Sequence, residues 1–127
     1  MQQARLYASM SKAQRLKVGA VLVTSTGIVI PGYNGTPKGL DNTCEDYEGK
    51  TKLSVIHAEL NCILKCSREG VSSQGSVVYM THSSCQSCAA MLISAGVKEV
   101  IYADLYRDIS GIGLLHEGHV LTRHFKG

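Results

Sequence analysis

The chain has 127 residues, 44% hydrophobic and 18% charged, which suits one soluble domain over residues 1–127 with a sizeable core. A net charge of +3 is too small for duplex nucleic-acid binding but suits a small anionic ligand, and with no Trp and a single Phe there is no large stacking platform for single strands. No long apolar run marks a membrane span and Met1-Gln2-Gln3-Ala4-Arg5 lacks the regions of a secretory signal, so the expected location is cytoplasmic.

In chain order, Gln2 to Met10 can form a short amphipathic helix, followed by a basic loop from Ser11 to Lys17. The run Val18-Gly19-Ala20-Val21-Leu22-Val23 reads as a strand buried on both faces. A turn over Thr24 to Gly27 returns the chain into Ile28-Val29-Ile30, giving an antiparallel hairpin. Pro31 to Gly35 is expected to begin an irregular region. Thr36 to Lys52 then reads as a long loop, of a length that is more often functional than neutral. Its acidic run, Glu45-Asp46-Tyr47-Glu48, reads as a solvated face. Val55 to Arg68 should form a helix with Ile56, Leu60, Ile63 and Leu64 inward and Gly70 as its stop. A strand at Val77 to Met80, a helix from Cys85 to Ala95 and a strand at Val100 to Ala103 follow. A helical turn at Ile112 to His116 and a strand within His119 to Phe125 complete the order. This alternation is the signature of an α/β layered domain with crossover helices.

The chemistry concentrates in two short motifs. His57 is followed by Glu59, and Cys85-Gln86-Ser87-Cys88 begins 28 residues after the histidine. An odd count of 5 Cys without a secretion signal favours reduced thiols and a metal over a disulfide framework. Zinc prefers sulfur and imidazole, and a catalytic zinc keeps one of its four positions for water. His57, Cys85 and Cys88 supply three ligands. The cysteines share a helix face and lie near a helix start, where unpaired N–H groups favour thiolates. Glu59 is free to act as general acid and base. A closed, non-catalytic zinc site would need a fourth ligand, for which Cys44, Cys62 and Cys66 are candidates. The last two sit at i, i+4 beyond the helix start and read as small core residues.

His-x-Glu followed by Cys-x-x-Cys is the zinc nucleobase-deaminase signature. With it come Arg15 to Val23, the loop Gly32-Tyr33-Asn34-Gly35-Thr36-Pro37-Lys38-Gly39, Asp41-Asn42, and the blocks around His57 to Asn61 and Ser84 to Ala89. On these residues the chain resembles the cytidine deaminase superfamily, most closely its deoxycytidylate (dCMP) deaminase branch. One departure is visible: Ser84 stands where the family commonly has Pro before the first cysteine.

The resemblance implies a three-layer α/β/α fold, a mixed sheet of about five strands with helices on both faces. It implies Zn2+-dependent hydrolytic deamination of dCMP to dUMP and ammonia, supplying thymidylate synthesis. The implied ligands are His57, Cys85 and Cys88, with Glu59 catalytic. Substrate contacts are implied for Asn34, Ala58, Ser84, Tyr106, Arg107 and Arg15, the arginines serving the phosphate. The bland reading of each arginine is a solvated surface charge, and that of Asn34 a turn residue. The family further implies a homo-oligomer, often a hexamer, activated by dCTP with Mg2+ and inhibited by dTTP. Tyr33, Gly35 and Asn42 are the implied effector residues. The competing expectations are a deaminase of the same fold acting on cytidine, guanine or tRNA adenosine, and a non-catalytic zinc-stabilised nucleotide-binding module.

Overall fold

The computed structural model describes residues 1–127. The elements are α1 (Gln2–Ala8), β1 (Gly19–Val23), β2 (Val29–Tyr33), α2 (Ala58–Glu69), β3 (Val77–His82), α3 (Gln86–Ser94), β4 (Glu99–Asp104), α4 (Ser110–Glu117) and β5 (Leu121–His124). One five-stranded sheet runs in the order β2-β1-β3-β4-β5. β1 is antiparallel to both neighbours, whereas β3, β4 and β5 are mutually parallel.

The apolar runs form the strands where they were expected. Ala20, Leu22, Val78, Met80 and Val100 lie in the core, each no more than 1% exposed. The hairpin differs from expectation: β2 continues through Pro31 and Gly32 to Tyr33 instead of ending at Ile30. It is an edge strand, so the missing N–H of Pro31 breaks no ladder.

Helices cover both faces, and two glycines show how closely. A Cβ on Gly19 would meet the Ala4 carbonyl oxygen and lie 2.5 Å from the Ala8 nitrogen, so α1 rests directly on β1. A Cβ on Gly32 would lie 2.5 Å from the Ala58 carbonyl oxygen and 2.8 Å from Cys62 Sγ. Gly19 pairs with Tyr33 and Ala20 with Gly32, so these approaches come from opposite faces.

The close approach corrects the expected inner face of α2. Its buried stripe is Ala58, Cys62 and Cys66, small side chains at i, i+4 and i+8, while Leu64 is 47% exposed. Cys62 is the side chain of this stripe that rests against Gly32. The helix begins at Ala58, with His57 as its N-cap, and stops at Gly70 with φ of 68°. α3 packs between α2 and α4. The final helical turn is also longer than expected, an eight-residue helix from Ser110. No helix is long and apolar enough to cross a membrane.

Candidate active site

The site lies past the carboxyl ends of β3 and β4, where an α/β sheet presents its loops. Two helices start there. His57 caps α2 and Cys85 caps α3, both with extended backbone and neither capping with its side chain. Their side chains are therefore free to turn towards each other. The segment between β3 and α3 is tied to β4: Ser83 N–H donates to the Asp104 carbonyl at 3.0 Å and Tyr106 N–H to Ser83 Oγ at 2.8 Å.

His57 Nδ1 is 3.3 Å from Cys88 Sγ and 3.6 Å from Cys85 Sγ, and the three donor atoms lie within 4.8 Å of one another. A tetrahedral zinc with usual bond lengths needs N···S edges of about 3.5 Å, so this donor set fits zinc. His57 is exposed and Cys85 half-buried, which leaves a side open to the cavity. Cys44, Cys62 and Cys66 do not join the cluster and are buried elsewhere. Burial pushes the Cys62 thiol up to about 12, which makes it a core residue and a poor ligand. The closed site with a protein fourth ligand is not formed.

The two cluster thiols titrate as a pair. Cys85 is brought down to about 3, first by its hydrogen bond with Cys88 and then by His57. Cys88 is raised, first by the same bond and then by burial. The hydrogen bond that the His57 ring N–H donates to Cys85 also raises His57, against the opposing effect of burial. One thiolate is thus stabilised before a metal arrives.

Glu59 is 3% exposed and lines the same cavity as His57 and Cys85. Burial raises its carboxyl above the usual range, and a hydrogen bond from Ser84 opposes the shift. A carboxyl that resists ionisation beside an open cavity suits proton transfer near neutral pH.

The cavity has a volume of about 380 Å³. It brings Asn34, Ala58, Arg15, Tyr106 and Arg107 to one space with His57 and Glu59. The Arg107 guanidinium sits over the Tyr106 ring, 5.6 Å from its centroid. Ser84 is not on the cavity wall but packs behind Glu59. The Asn34 amide already carries backbone contacts: Oδ1 accepts from Val18 N–H at 2.9 Å and Nδ2 donates to the Leu16 carbonyl at 2.8 Å. Asn34 therefore shapes the wall as well as facing the cavity. Tyr33, Gly35 and Asn42 lie apart, on a second cavity that also includes Asn34.

Two ionisable wall residues escaped the sequence reading. His82, at the end of β3, lines the cavity, with Nδ1 3.0 Å from Thr81 Oγ1. Its place three residues before Cys85 was the available signal. Glu45 was taken with the solvated acidic run. It is 8% exposed, and Oε2 accepts from the N–H groups of Gln14 at 3.0 Å and Arg15 at 3.2 Å. Nothing local marked it out, because its partners lie 30 and 31 residues away.

Residues 1–104 match the family model for the cytidine and deoxycytidylate deaminase zinc-binding region. The chain belongs to this family. The chain is 40% identical over 114 residues to ComE operon protein 2 of Bacillus subtilis, covering 84% of this chain and 58% of that protein. It is 30% identical over 135 residues to the deoxycytidylate deaminase of Saccharomyces cerevisiae, covering 98% of this chain and 43% of the yeast protein. The chain thus spans about half the length of these two relatives. Among solved deaminases, dCMP deaminase from the cyanophage S-TIM5 in complex with dCMP and dUMP superposes with a TM-score of 0.93 at 38% identity, covering 98% of this chain and 92% of that one. The three-layer fold with its mixed sheet is therefore that of dCMP deaminase structures.

Proposed function

We propose that this chain hydrolyses dCMP to dUMP and ammonia, supplying dUMP for thymidylate synthesis. The observation that carries the proposal is the convergence of His57, Cys85 and Cys88 with the buried Glu59 on one cavity. The likeness to the cyanophage enzyme over nearly the whole of both chains supports dCMP as the substrate.

His57, Cys85 and Cys88 hold zinc in this reading. Zinc supplies, when bound, a water whose pKa is lowered to about 7. Glu59 takes a proton from the attacking water and delivers it to N3 of the cytosine ring. A C4–O bond forms, and Glu59 takes the second proton from the new C4 hydroxyl and passes it to the amino group at C4. The C4–N bond then breaks and ammonia leaves. Ala58 opens α2, so its N–H has no partner within the helix and is free for the pyrimidine carbonyl. The N–H of Cys85 serves the ring in the same way. Asn34 borders the sugar. Tyr106 packs beside it and carries the Arg107 guanidinium on its face. Arg107 and Arg15, both lining the cavity, bind the phosphate.

The second cavity supports a regulatory reading. Lys12, Lys38, Lys65 and Arg68 line it, and no carboxylate does. With Tyr33, Gly35 and Asn42 it suits a triphosphate: dCTP with Mg2+ as activator and dTTP as its opponent, acting in a homo-oligomer such as a hexamer.

The deciding assay is ammonia release from dCMP by zinc-loaded protein, with deoxycytidine as the comparison and with dCTP and Mg2+ present or absent. The expected result is turnover of dCMP well above that of deoxycytidine, and a fall of about 10²–10⁴-fold in Glu59→Gln with zinc retained. Faster turnover of deoxycytidine would defeat the phosphate assignment. Full activity in Glu59→Gln would defeat the chemistry. Hyperbolic kinetics indifferent to both triphosphates would remove the regulatory reading alone.

A further inference from the structure

Ser84 stands in the short segment between β3 and α3, immediately before Cys85. It is 1% exposed. Its hydroxyl lies 2.7 Å from Glu59 Oε2 and 3.4 Å from Met80 Sδ. A serine hydroxyl has a single proton to give, and a thioether is a weak acceptor, so the proton goes to the carboxylate. Proline, the residue the family commonly has here, could make no such bond.

The carboxylate also takes a hydrogen bond from Glu59's own backbone N–H. Glu59 is 3% exposed, and the space it meets is the cavity that it lines. The carboxylate is thus gripped at Oε2 from behind, by a residue that does not itself line the cavity. A glutamate has three rotatable side-chain bonds, and α2 by itself fixes only where they begin. The grip from the β3–α3 segment fixes where they end. It also ties the helix that carries Glu59 and His57 to the segment that carries Cys85.

We infer that Ser84 is a positioning residue for Glu59, holding Oε2 so that Oε1 faces the reacting pyrimidine. The inference rests on the deaminase reading, in which Glu59 moves the protons. Without the hydroxyl, Oε2 loses this hydrogen bond while still buried, a costly state for a carboxylate. The side chain then turns towards cavity water and leaves its productive alignment. Ground-state contacts at the sugar and phosphate do not involve this bond.

The test compares the zinc-loaded parent, Ser84→Ala, Ser84→Thr, Glu59→Gln and the double variant Ser84→Ala/Glu59→Gln. The readouts are kcat, KM, bound zinc and melting temperature. Ser84→Ala is expected to lower kcat by about tenfold, a part of what the acid–base group contributes. KM should stay within about twofold and zinc content should not change, because neither the ligands nor the substrate-binding groups are touched. Ser84→Thr, which keeps the hydroxyl, should recover most of the rate. In the Glu59→Gln background the same alanine substitution should have almost no further effect on kcat, because the group it positions is gone. That cycle does not depend on the threonine variant folding.

An active parent with unchanged kcat in Ser84→Ala overturns this role alone. So does an alanine variant that loses zinc, or one that slows Glu59→Gln by the same factor as it slows the parent. A parent inert towards dCMP overturns the deaminase reading, and this role with it.

Discussion

Gly111 offers a test of how the metal cluster is braced. It is the second residue of α4, and a Cβ there would meet the Ser84 carbonyl oxygen and lie 2.9 Å from both the carbon and the oxygen of the Cys85 carbonyl. These are backbone atoms beside a cluster ligand, and they cannot swing aside as a side chain can. Favourable contacts need about 3.5–4.0 Å between carbons, so Gly111→Ala must displace the Ser84–Cys85 peptide or α4 by roughly 1 Å or more. Metal sites tolerate errors of about 0.2 Å in ligand distance. Overpacking of this kind costs about 1–3 kcal/mol, set against a gain of up to about 1 kcal/mol from replacing a helical glycine. Gly113, on the same helix, has nothing within 4 Å of its Cβ position. Gly113→Ala should therefore raise the melting temperature by a few degrees, at roughly 4 °C per kcal/mol for a chain of this size. Gly111→Ala should lower it and weaken zinc binding by about 10–100-fold, the usual effect of disturbing a ligand's support. Competition with a chromophoric chelator reads the affinity, and a thermal melt with saturating zinc reads the stability. Equal melting temperatures and equal zinc affinity in the two variants would refute the close packing of α4 on the Ser84–Cys85 peptide.

Three further outcomes are expected. Cys88→Ser should lose most bound zinc by metal analysis and melt lower than the parent in zinc buffer, because a soft ligand at the cluster is replaced by a hard one. Glu45→Ala should raise KM for dCMP several-fold at near-constant kcat, because it frees the N–H groups of Gln14 and Arg15 and loosens the loop bearing Arg15, an arginine proposed to bind the phosphate. Glu45→Gln keeps an acceptor oxygen and should sit close to the parent, and an alanine variant with unchanged KM would show that the loop holds itself. Arg107→Ala should raise KM for dCMP by about tenfold or more while leaving deoxycytidine turnover unaltered, read from initial rates on both substrates.

The metal cluster was legible in the sequence because its chemistry restricts residue type and spacing together. Only a few residues ligate zinc, and a helix start must present them. The strands were legible because Val18 to Val23 and Val77 to Met80 are apolar without interruption. What was not legible depends on partners far along the chain. Pro31 signals an end to a strand unless the strand is known to be at the edge of its sheet. The inward face of α2 depends on Gly32, which lets the Ala58 backbone and Cys62 lie against β2, while Leu64 stays outside. Gly111 and Gly113 weaken the helical signal of α4, and the structure shows that the first of them is required by the Ser84–Cys85 peptide. Ser84 was visible as a departure from the family pattern. That its hydroxyl meets Glu59 needed the distance across 25 positions.

The same long-range ties bear on how the two cavities can communicate. Both are bordered by Asn34 and Cys44. The loop that carries Arg15 is held from the other side of this shared wall. Asn34 binds Leu16 and Val18 through its amide, its carbonyl accepts from Ser11 Oγ at 2.8 Å, and Glu45 binds Gln14 and Arg15. A ligand in the second cavity that favours one position of Asn34 or of the 36–45 segment therefore favours one position of Arg15. An effector can shift such an equilibrium only by its difference in affinity for the two positions. The residues tied in this way are those proposed to border the phosphate and sugar, whereas Glu59 and the metal cluster are anchored through Ser84, β3 and the starts of α2 and α3. Regulation through this wall should accordingly appear in the apparent affinity for dCMP before it appears in the turnover of bound substrate.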